Sequence, residues 1–253
     1  MFLRYLGLSF AFLFLAGCGG STHLVRTESK VIALSSAETA SVDSVVYYMI
    51  EPYRKGMSAK MDEVIGVSEQ VLEKSQPEGL LGNFVADACL KIANQYYYPE
   101  DGHAADFCLL NNGGLRASLP VGKITRKNIF ELMPFENSLS VLTLKGELLK
   151  KLFDFIAVKG GMPVSGLRLV IKDTIAMNVL VNGAAFDKEK IYKVITSDYL
   201  ANGGDGLFFL SDVVKRDDLN LKVRDALFEY IFRLNSEEKK ISSQLDGRIS
   251  YQQ

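Results

Sequence analysis

The sequence predicts a single α/β (α+β) domain over residues 36–253. Some segments have apolar residues at every third or fourth position, as helices do. Between them lie short segments that are apolar throughout or alternate apolar with polar residues, as strands do, and neither kind dominates. Hydrophobic residues make up 48% of the 253 residues, which is enough to fill a sizeable core. We find no internal repeat or interior linker that would divide this domain.

The first half of the domain predicts two helices and two strands. Apolar side chains recur every three or four positions over residues 38–61, which predicts an amphipathic helix. Residues 64–67 are typical of a strand, and a second helix is predicted over residues 80–97. Residues 105–110 form a short apolar strand.

The second half continues the alternation. Residues 124–133 predict a turn or short helix that Pro134 closes. Further strands are expected at 138–144, 167–171, 178–181 and 192–196, and further helices at 147–158 and 223–234. Asn182-Gly183 is a typical tight turn, and the charged run 215–218 is expected to be solvated surface.

Two glycine-rich segments are the most informative feature of the chain. The first glycine segment is residues 111–116 (NNGGLR), and the second is residues 201–206 (ANGGDG). Each follows a predicted strand, a common position for ligand sites in α/β proteins. Glycine pairs let the backbone approach a ligand closely; these are Gly113, Gly114, Gly203 and Gly204. Taken alone, either segment could also be a simple turn.

Three polar residues in these segments are candidates for ligand recognition. Arg116 offers a forked donor for phosphate or carboxylate, and Asp205 offers an acceptor for hydroxyls or amines. Asn111 can both donate and accept. Two aromatics nearby, Phe135 and Tyr199, could hold a flat ring between them, although a core role is the ordinary alternative for Phe135.

The sequence offers no catalytic or metal-binding cluster. Only two histidines occur, His23 and His103, and neither has a partner at metal-ligand spacing. Cys89 and Cys108 lie in apolar contexts, so a disulfide and two buried free thiols both remain open. A net charge of −1 and a pI of about 6.2 argue against nucleic-acid binding.

The N-terminus predicts export and lipidation. An apolar run from Leu6 to Leu15 is too short to span a bilayer and ends at Ala16-Gly17-Cys18, which resembles the lipobox of bacterial lipoproteins. Residues 1–17 are therefore expected to be a signal peptide, with Cys18 the lipidated residue and residues 18–35 a tether. A plain secretory signal is the alternative. We expect a cell-envelope location, in the outer membrane facing the periplasm.

Five motifs, taken in order, carry a resemblance to a known family. They are Gly82-Asn83-Phe84-Val85-Ala86-Asp87-Ala88, the first glycine segment, Met133-Pro134-Phe135, Leu142-Thr143-Leu144-Lys145-Gly146, and Tyr199-Leu200 with the second glycine segment. Together they resemble the C-terminal domain of the 5'-nucleotidase / UDP-sugar hydrolase family, over about residues 60–250.

The resemblance implies a layered α/β/β/α sandwich that binds a nucleotide. By position, Asn111 and Arg116 are implied to contact the nucleotide. Phe135 and Tyr199 are implied to stack on the base, with Tyr199 where the family often has Phe, and Asp205 is implied to accept from ribose hydroxyls. Family members often carry an arginine ahead of the Gly82-Asn83 helix; here Lys74 is the nearest cation.

In that family, hydrolysis belongs to a separate N-terminal metallophosphatase domain with two metal ions. Its histidine-, aspartate- and asparagine-rich motifs do not occur in this sequence, so we expect no catalytic residues, no metal ligands and no cofactor in this chain. The divalent metal ions are expected in a partner metallophosphatase chain.

Three functions follow as hypotheses. The first is the nucleotide-recognition subunit of a split 5'-nucleotidase-like hydrolase, inactive alone. The second is a non-enzymatic lipoprotein that binds nucleosides or nucleotides for scavenging or sensing. The third is a degenerate domain that serves as an interaction scaffold.

Overall fold

The computed structural model describes residue 24, residues 26–31 and residues 43–252. The predicted signal peptide, Cys18 and His23 lie outside the described residues. The chain divides into two compact units, residues 1–50 and 51–253. None of the helices in the described part of the chain combines the length and apolarity that a membrane span requires.

Helix α1 (Ser44–Met61) confirms the first predicted helix, although residues 38–42 lie outside the described ranges. Its first turn is stabilised by Asp43, whose carboxylate accepts from the backbone N–H groups of Val45 at 2.9 Å and Val46 at 3.2 Å. None of its residues is buried. The amphipathic pattern therefore predicted the helix correctly, whereas most of its apolar side chains are exposed.

The remaining predicted helices and strands are present, and the structure adds strands at 122–125, 164–165, 184–185, 215–222 and 249–251 that the sequence analysis did not predict. The helices are α2 (Leu80–Tyr96), α3 (Arg126–Leu132), α4 (Gly146–Val158), α5 (Asp198–Ala201) and α6 (Val223–Ser236). The strands are β1 (Val64–Ser68), β2 (Phe107–Leu109), β3 (Gly122–Thr125), β4 (Ser138–Lys145), β5 (Val164–Ser165), β6 (Leu167–Lys172), β7 (Ile175–Val181), β8 (Ala184–Ala185), β9 (Ile191–Ser197), β10 (Lys215–Lys222) and β11 (Ile249–Tyr251).

Within the described residues the strands form three sheets. The largest has the order β10-β4-β9-β2-β5, the second has the order β11-β6-β7-β8, and β1 pairs with β3. The predicted pairing of β6 with β7 is confirmed, since Leu167 lies opposite Val181. The turn at Asn182-Gly183 joins β7 to β8 with positive φ at both residues. These mixed sheets and helices confirm the predicted α/β (α+β) fold class.

In the part of the chain that the structure describes, two hydrophobic cores lie on the two faces of the five-stranded sheet. Alternate residues of β4 point to opposite faces, so that Leu139 and Val141 join one core while Leu142 and Leu144 join the other. Helices α2 and α6 contribute to the first core. Helix α4 and the strands β6 and β7 contribute to the second core, which the two larger sheets share.

Two features differ from the sequence-based expectation or resolve an alternative. The charged run 215–218 is an edge strand, β10, which pairs antiparallel with β4, and Arg216 and Asp217 are half-buried. Charged side chains are common on edge strands, which are exposed on one side. The charged run therefore gave no sign of a strand in the sequence. Cys89 and Cys108 are both buried free thiols, and no disulfide joins them.

Candidate functional site

The sheet brings three chain segments to one edge. Strands β2 and β9 are parallel neighbours, with Phe107 opposite Val194, so their carboxyl ends meet at the same edge. The first glycine segment follows β2, and the second follows β9 after helix α5. Strand β4 runs antiparallel to β9, and Leu139 near its start pairs with Ser197 at the end of β9. The Phe135 segment, just before β4, therefore reaches the same edge.

The first glycine segment forms a tight 3₁₀ turn over Asn112–Gly114. A Cβ atom on Gly114 would lie 2.9 Å from Oδ1 of Asn111, so glycine leaves room for the Asn111 side chain to fold over the turn. The backbone N–H of Arg116 donates to the carbonyl of Leu132 at 2.8 Å. This bond ties the first glycine segment to the end of α3, close in sequence to Phe135.

The second glycine segment is a left-handed turn. Gly203, Asp205 and Gly206 have φ values of 89°, 56° and 96°. Asp205 is the non-glycine residue among them, in a conformation that asparagine and aspartate tolerate better than most side chains. Helix α5, which precedes the turn, is capped by Ser197, whose hydroxyl accepts from the N–H of Leu200 at 3.3 Å.

Hydrogen bonds to Asp205 link the two glycine segments. The amide of Asn111 donates to Asp205 Oδ2 at 2.8 Å, and the hydroxyl of Tyr199 donates to Oδ1 at 2.9 Å. The backbone N–H of Asp205 donates to the Tyr199 hydroxyl oxygen at 3.3 Å. Both carboxylate oxygens are thus engaged, and each keeps capacity to accept a further donor.

The two glycine segments and the Phe135 segment enclose a cleft of about 380 Å³, which we call the loop cleft. It is lined by Asn111, Gly113, Gly114, Phe135, Asn137, Tyr199 and Asp205. Phe135 and Tyr199 are each 43% exposed, although both carry large aromatic rings. A cleft with two accessible rings and a few polar groups is the usual form of a small-molecule site.

The segment that carries Phe135 is held by charged residues of β10 and α6. The carboxylate of Glu136 forms ion pairs with Lys222 and with the buried guanidinium of Arg224. These hydrogen bonds, first from Lys222 and then from Arg224, lower the pKa of Glu136 to about 2. Arg224 also donates to the carbonyl of Met133 at 3.2 Å and stacks over the Phe130 ring at 4.3 Å. Phe135 therefore projects from a fixed turn.

The structure brings together most of the residues that the sequence analysis selected. Three of them lie elsewhere: Arg116, Gly203 and Gly204 are absent from the lining of the loop cleft. The Arg116 side chain is exposed and reaches the carbonyl of Gly113 at 3.4 Å. Gly203 borders a neighbouring depression beside Phe208, and Gly204 packs against the Tyr199 ring.

Sequence reasoning missed Asn137 and the anchoring role of Arg224. Asn137 lines the loop cleft, and its backbone carbonyl accepts from the N–H of Val223 at 2.9 Å. Its only sequence signal is an amide two residues after Phe135. Arg224 lies about 90 residues from the segment that it holds, and no local pattern indicates such a contact.

In the described part of the chain, no group of three or more His, Cys, Asp or Glu side chains is arranged to hold a metal ion. His103 lies in an exposed loop with Nδ1 4.0 Å from Asp101. The lining of the loop cleft consists instead of aromatic and hydrogen-bonding groups, which suit recognition of a flat, hydroxyl-bearing molecule.

A family model for the 5'-nucleotidase C-terminal domain matches residues 62–212, which include all three segments of the loop cleft. The chain belongs to this family. The fold and the family that the sequence motifs implied are both confirmed.

Curated relatives match part of their own length. The chain is 27% identical over 240 residues to an apyrase from Tabanus yao, covering 84% of this chain and 42% of the apyrase. It is also 27% identical over 195 residues to the 5'-nucleotidase of Rattus norvegicus, covering 68% of this chain and 33% of that enzyme. The chain therefore spans less than half of the length of these relatives.

Solved structures give the same result. A 5'-nucleotidase precursor from Thermus thermophilus superposes with a TM-score of 0.68 at 28% identity, over 83% of this chain and 43% of that chain. The NAD nucleotidase of Haemophilus influenzae superposes with a TM-score of 0.63 at 18% identity, over 83% of this chain and 41% of that chain, which shows a shared fold.

Proposed function

We propose that this chain is the nucleotide-recognition subunit of a split 5'-nucleotidase-like hydrolase. In this proposal the loop cleft holds the nucleoside part of a nucleoside 5'-phosphate, and a separate metallophosphatase chain hydrolyses the ester. The observation that carries the proposal is that Phe135 and Tyr199 line one cleft together with Asn111 and Asp205.

The exposed rings support binding of a nucleobase. Phe135 and Tyr199 come from segments that meet at one sheet edge, and both keep 43% of their surface accessible. Stacking of a base on an aromatic side chain contributes about 1–3 kcal/mol. Any base offers a π face, so this part of the cleft would tolerate several nucleotides.

The polar groups support recognition of the sugar and phosphate. Asp205 would accept from ribose hydroxyls with the capacity that its bonds to Asn111 and Tyr199 leave unused. Arg116, exposed beside Gly113, would reach the phosphate by turning its flexible side chain towards the ligand. Orientation of the ester in this way is catalysis by positioning.

The partner would supply two divalent metal ions that polarise the phosphate and activate water. We propose that both chains are held at the same membrane surface, this one through a lipidated Cys18. A non-enzymatic nucleotide-binding lipoprotein is the alternative.

The test is reconstitution. Phosphate release from AMP and UMP is measured for a metallophosphatase purified from the same cell envelope, alone and mixed with this chain. The proposal expects a faster rate in the mixture, loss of the gain with Phe135→Ala, and no loss with Tyr98→Ala, a control aromatic that is 88% exposed and does not line the loop cleft.

Two results would contradict the proposal. A mixture no faster than the phosphatase alone, together with tight nucleotide binding by this chain, would favour the non-enzymatic lipoprotein. Phosphate release by the purified chain without any partner would show that hydrolysis does not require a second polypeptide.

A further inference from the structure

The Tyr199 hydroxyl makes a two-point contact with Asp205. It donates to the carboxylate at 2.9 Å and accepts from the backbone N–H of the same residue at 3.3 Å. One group therefore restrains both the side-chain rotamer of Asp205 and the left-handed backbone at φ 56°. Such a contact orders a turn that would otherwise be conformationally free.

The position of the Tyr199 ring is itself fixed by Gly204. A Cβ atom on Gly204 would lie 2.5–2.6 Å from three adjacent ring atoms, Cε1, Cδ1 and Cζ. Nearly equal distances to three neighbouring atoms place that point over the face of the ring. Gly204 therefore packs against one face, while Tyr199 remains 43% exposed and lines the loop cleft.

The Asp205 carboxylate is oriented from both sides. Asn111 holds Oδ2 from the first glycine segment, and the Tyr199 hydroxyl holds Oδ1 from within the second. Each oxygen can still accept one more hydrogen bond. A carboxylate whose two oxygens are held in this way, each with capacity for one more donor, suits a ligand that presents two adjacent hydroxyls.

We propose that the Tyr199 hydroxyl is a specificity-determining positioning group, which presets Asp205 to select ligands with a vicinal diol. This inference rests on the proposed function and adds to it a residue that sets sugar selectivity. A phenylalanine at this position would keep the ring for stacking and lose both bonds to Asp205. The Tyr199 side chain thus has two separate roles, because its ring stacks on the base while its hydroxyl acts on sugar recognition through Asp205.

The experiment compares three nucleotides on the full chain and on Tyr199→Phe. AMP, 2'-deoxyAMP and 2',3'-dideoxyAMP share base and phosphate and differ in sugar hydroxyls. Affinities are measured by ligand-observed NMR, which detects weak binding. In Tyr199→Phe the preference for AMP over dideoxyAMP is expected to fall by about fivefold or more, because hydrogen bonds of this kind are lost or misplaced.

The affinity for dideoxyAMP serves as the internal control and is expected to change by less than about twofold, because stacking is retained. Equal losses for AMP and dideoxyAMP would overturn the inference, as would an unchanged preference. A raised preference for AMP would show that the hydroxyl competes with the ligand for Asp205. Failure of the wild-type chain to bind any of the three would instead refute the proposed function.

Asp205→Asn provides a second variant that does not depend on Tyr199. It keeps the size of the side chain and weakens it as a hydroxyl acceptor. The AMP preference is expected to fall here as well, and a preference equal to that of the wild type would overturn the inference.

Discussion

Gly204→Ala tests whether the ring of Tyr199 is fixed by the glycine behind it. The new methyl carbon would lie 2.5 Å from Cε1, whereas ordinary contacts begin near 3.4 Å. The ring must therefore move by roughly 0.9 Å, the difference between these two distances. Gly204 has no left-handed φ, so the effect is steric. A shift of this size would break the 3.3 Å bond from the Asp205 N–H to the hydroxyl.

The expected loss in the free energy of unfolding is about 1–2 kcal/mol, the sum of a weakened exposed hydrogen bond and local overpacking. For a domain of this size that lowers Tm by roughly 2–8 °C. Nucleotide affinity should fall about tenfold, because both the stacking ring and Asp205 are displaced. Calorimetric melting and titration with AMP measure the two effects.

Gly206→Ala is the matched control. No heavy atom lies within 4 Å of a Cβ atom there, but φ is 96°, so this variant carries backbone strain without pushing the Tyr199 ring. Gly206→Ala should lower Tm by about as much as Gly204→Ala does, but it should reduce AMP affinity less. If Gly204→Ala kept both the wild-type Tm and the wild-type affinity, the packing of Gly204 on Tyr199 would be refuted.

Three further predictions concern other parts of the domain. Phe135→Ala should weaken AMP binding by about 5- to 150-fold through lost stacking, with unchanged far-ultraviolet circular dichroism; an effect no larger than that of Tyr98→Ala would contradict it. The ion pairs of Glu136 lower its pKa from 4.5 to about 2, so they stabilise the fold fully at pH values above 4.5. The free energy of unfolding, measured with urea, should therefore fall as the pH drops from 4.5 towards 2. In Glu136→Gln this acid-dependent loss should be smaller. Burial raises the pKa of the Cys89 thiol to about 12 and that of Cys108 well above its usual range, so neither should react with a thiol reagent at pH 8 until the protein unfolds; rapid labelling of Cys89 or Cys108 in the native chain, located by peptide mapping, would contradict their burial.

The glycine segments could be predicted from the sequence because their signal is local. Glycine pairs after apolar strands indicate backbone close to a ligand, and both segments lie at one sheet edge. The adjacency of β2 and β9 could not be derived from periodicity, because strand order depends on contacts between distant residues. The resemblance to a known family implied only that residues of both segments contact one nucleotide.

The charged and anchoring residues show where local patterns fail. The run at 215–218 is rich in charge, yet it pairs with β4 as an edge strand, where the Ser140 hydroxyl donates to the Asp218 carboxylate at 2.6 Å. The buried Arg224 donates to the carbonyl of Met133 and forms an ion pair with the carboxylate of Glu136. Neither partner is visible in the sequence around residue 224.

Helix α1 shows the opposite case. Its three- and four-residue spacing predicted the helix, but the pattern does not specify what covers the apolar side chains. Val45 is 76% exposed and Tyr53 is 79% exposed. Periodicity therefore predicts secondary structure here and says nothing about burial.

The most direct test of nucleotide binding uses a fluorescent ring in the loop cleft. The chain contains no tryptophan, so Phe135→Trp introduces a single reporter at the position assigned to base stacking. Titration with AMP or UMP should quench its emission to saturation, whereas ribose 5-phosphate, which lacks a base, should not. Emission that no nucleotide changes would contradict the claim that Phe135 and Tyr199 hold a base between them.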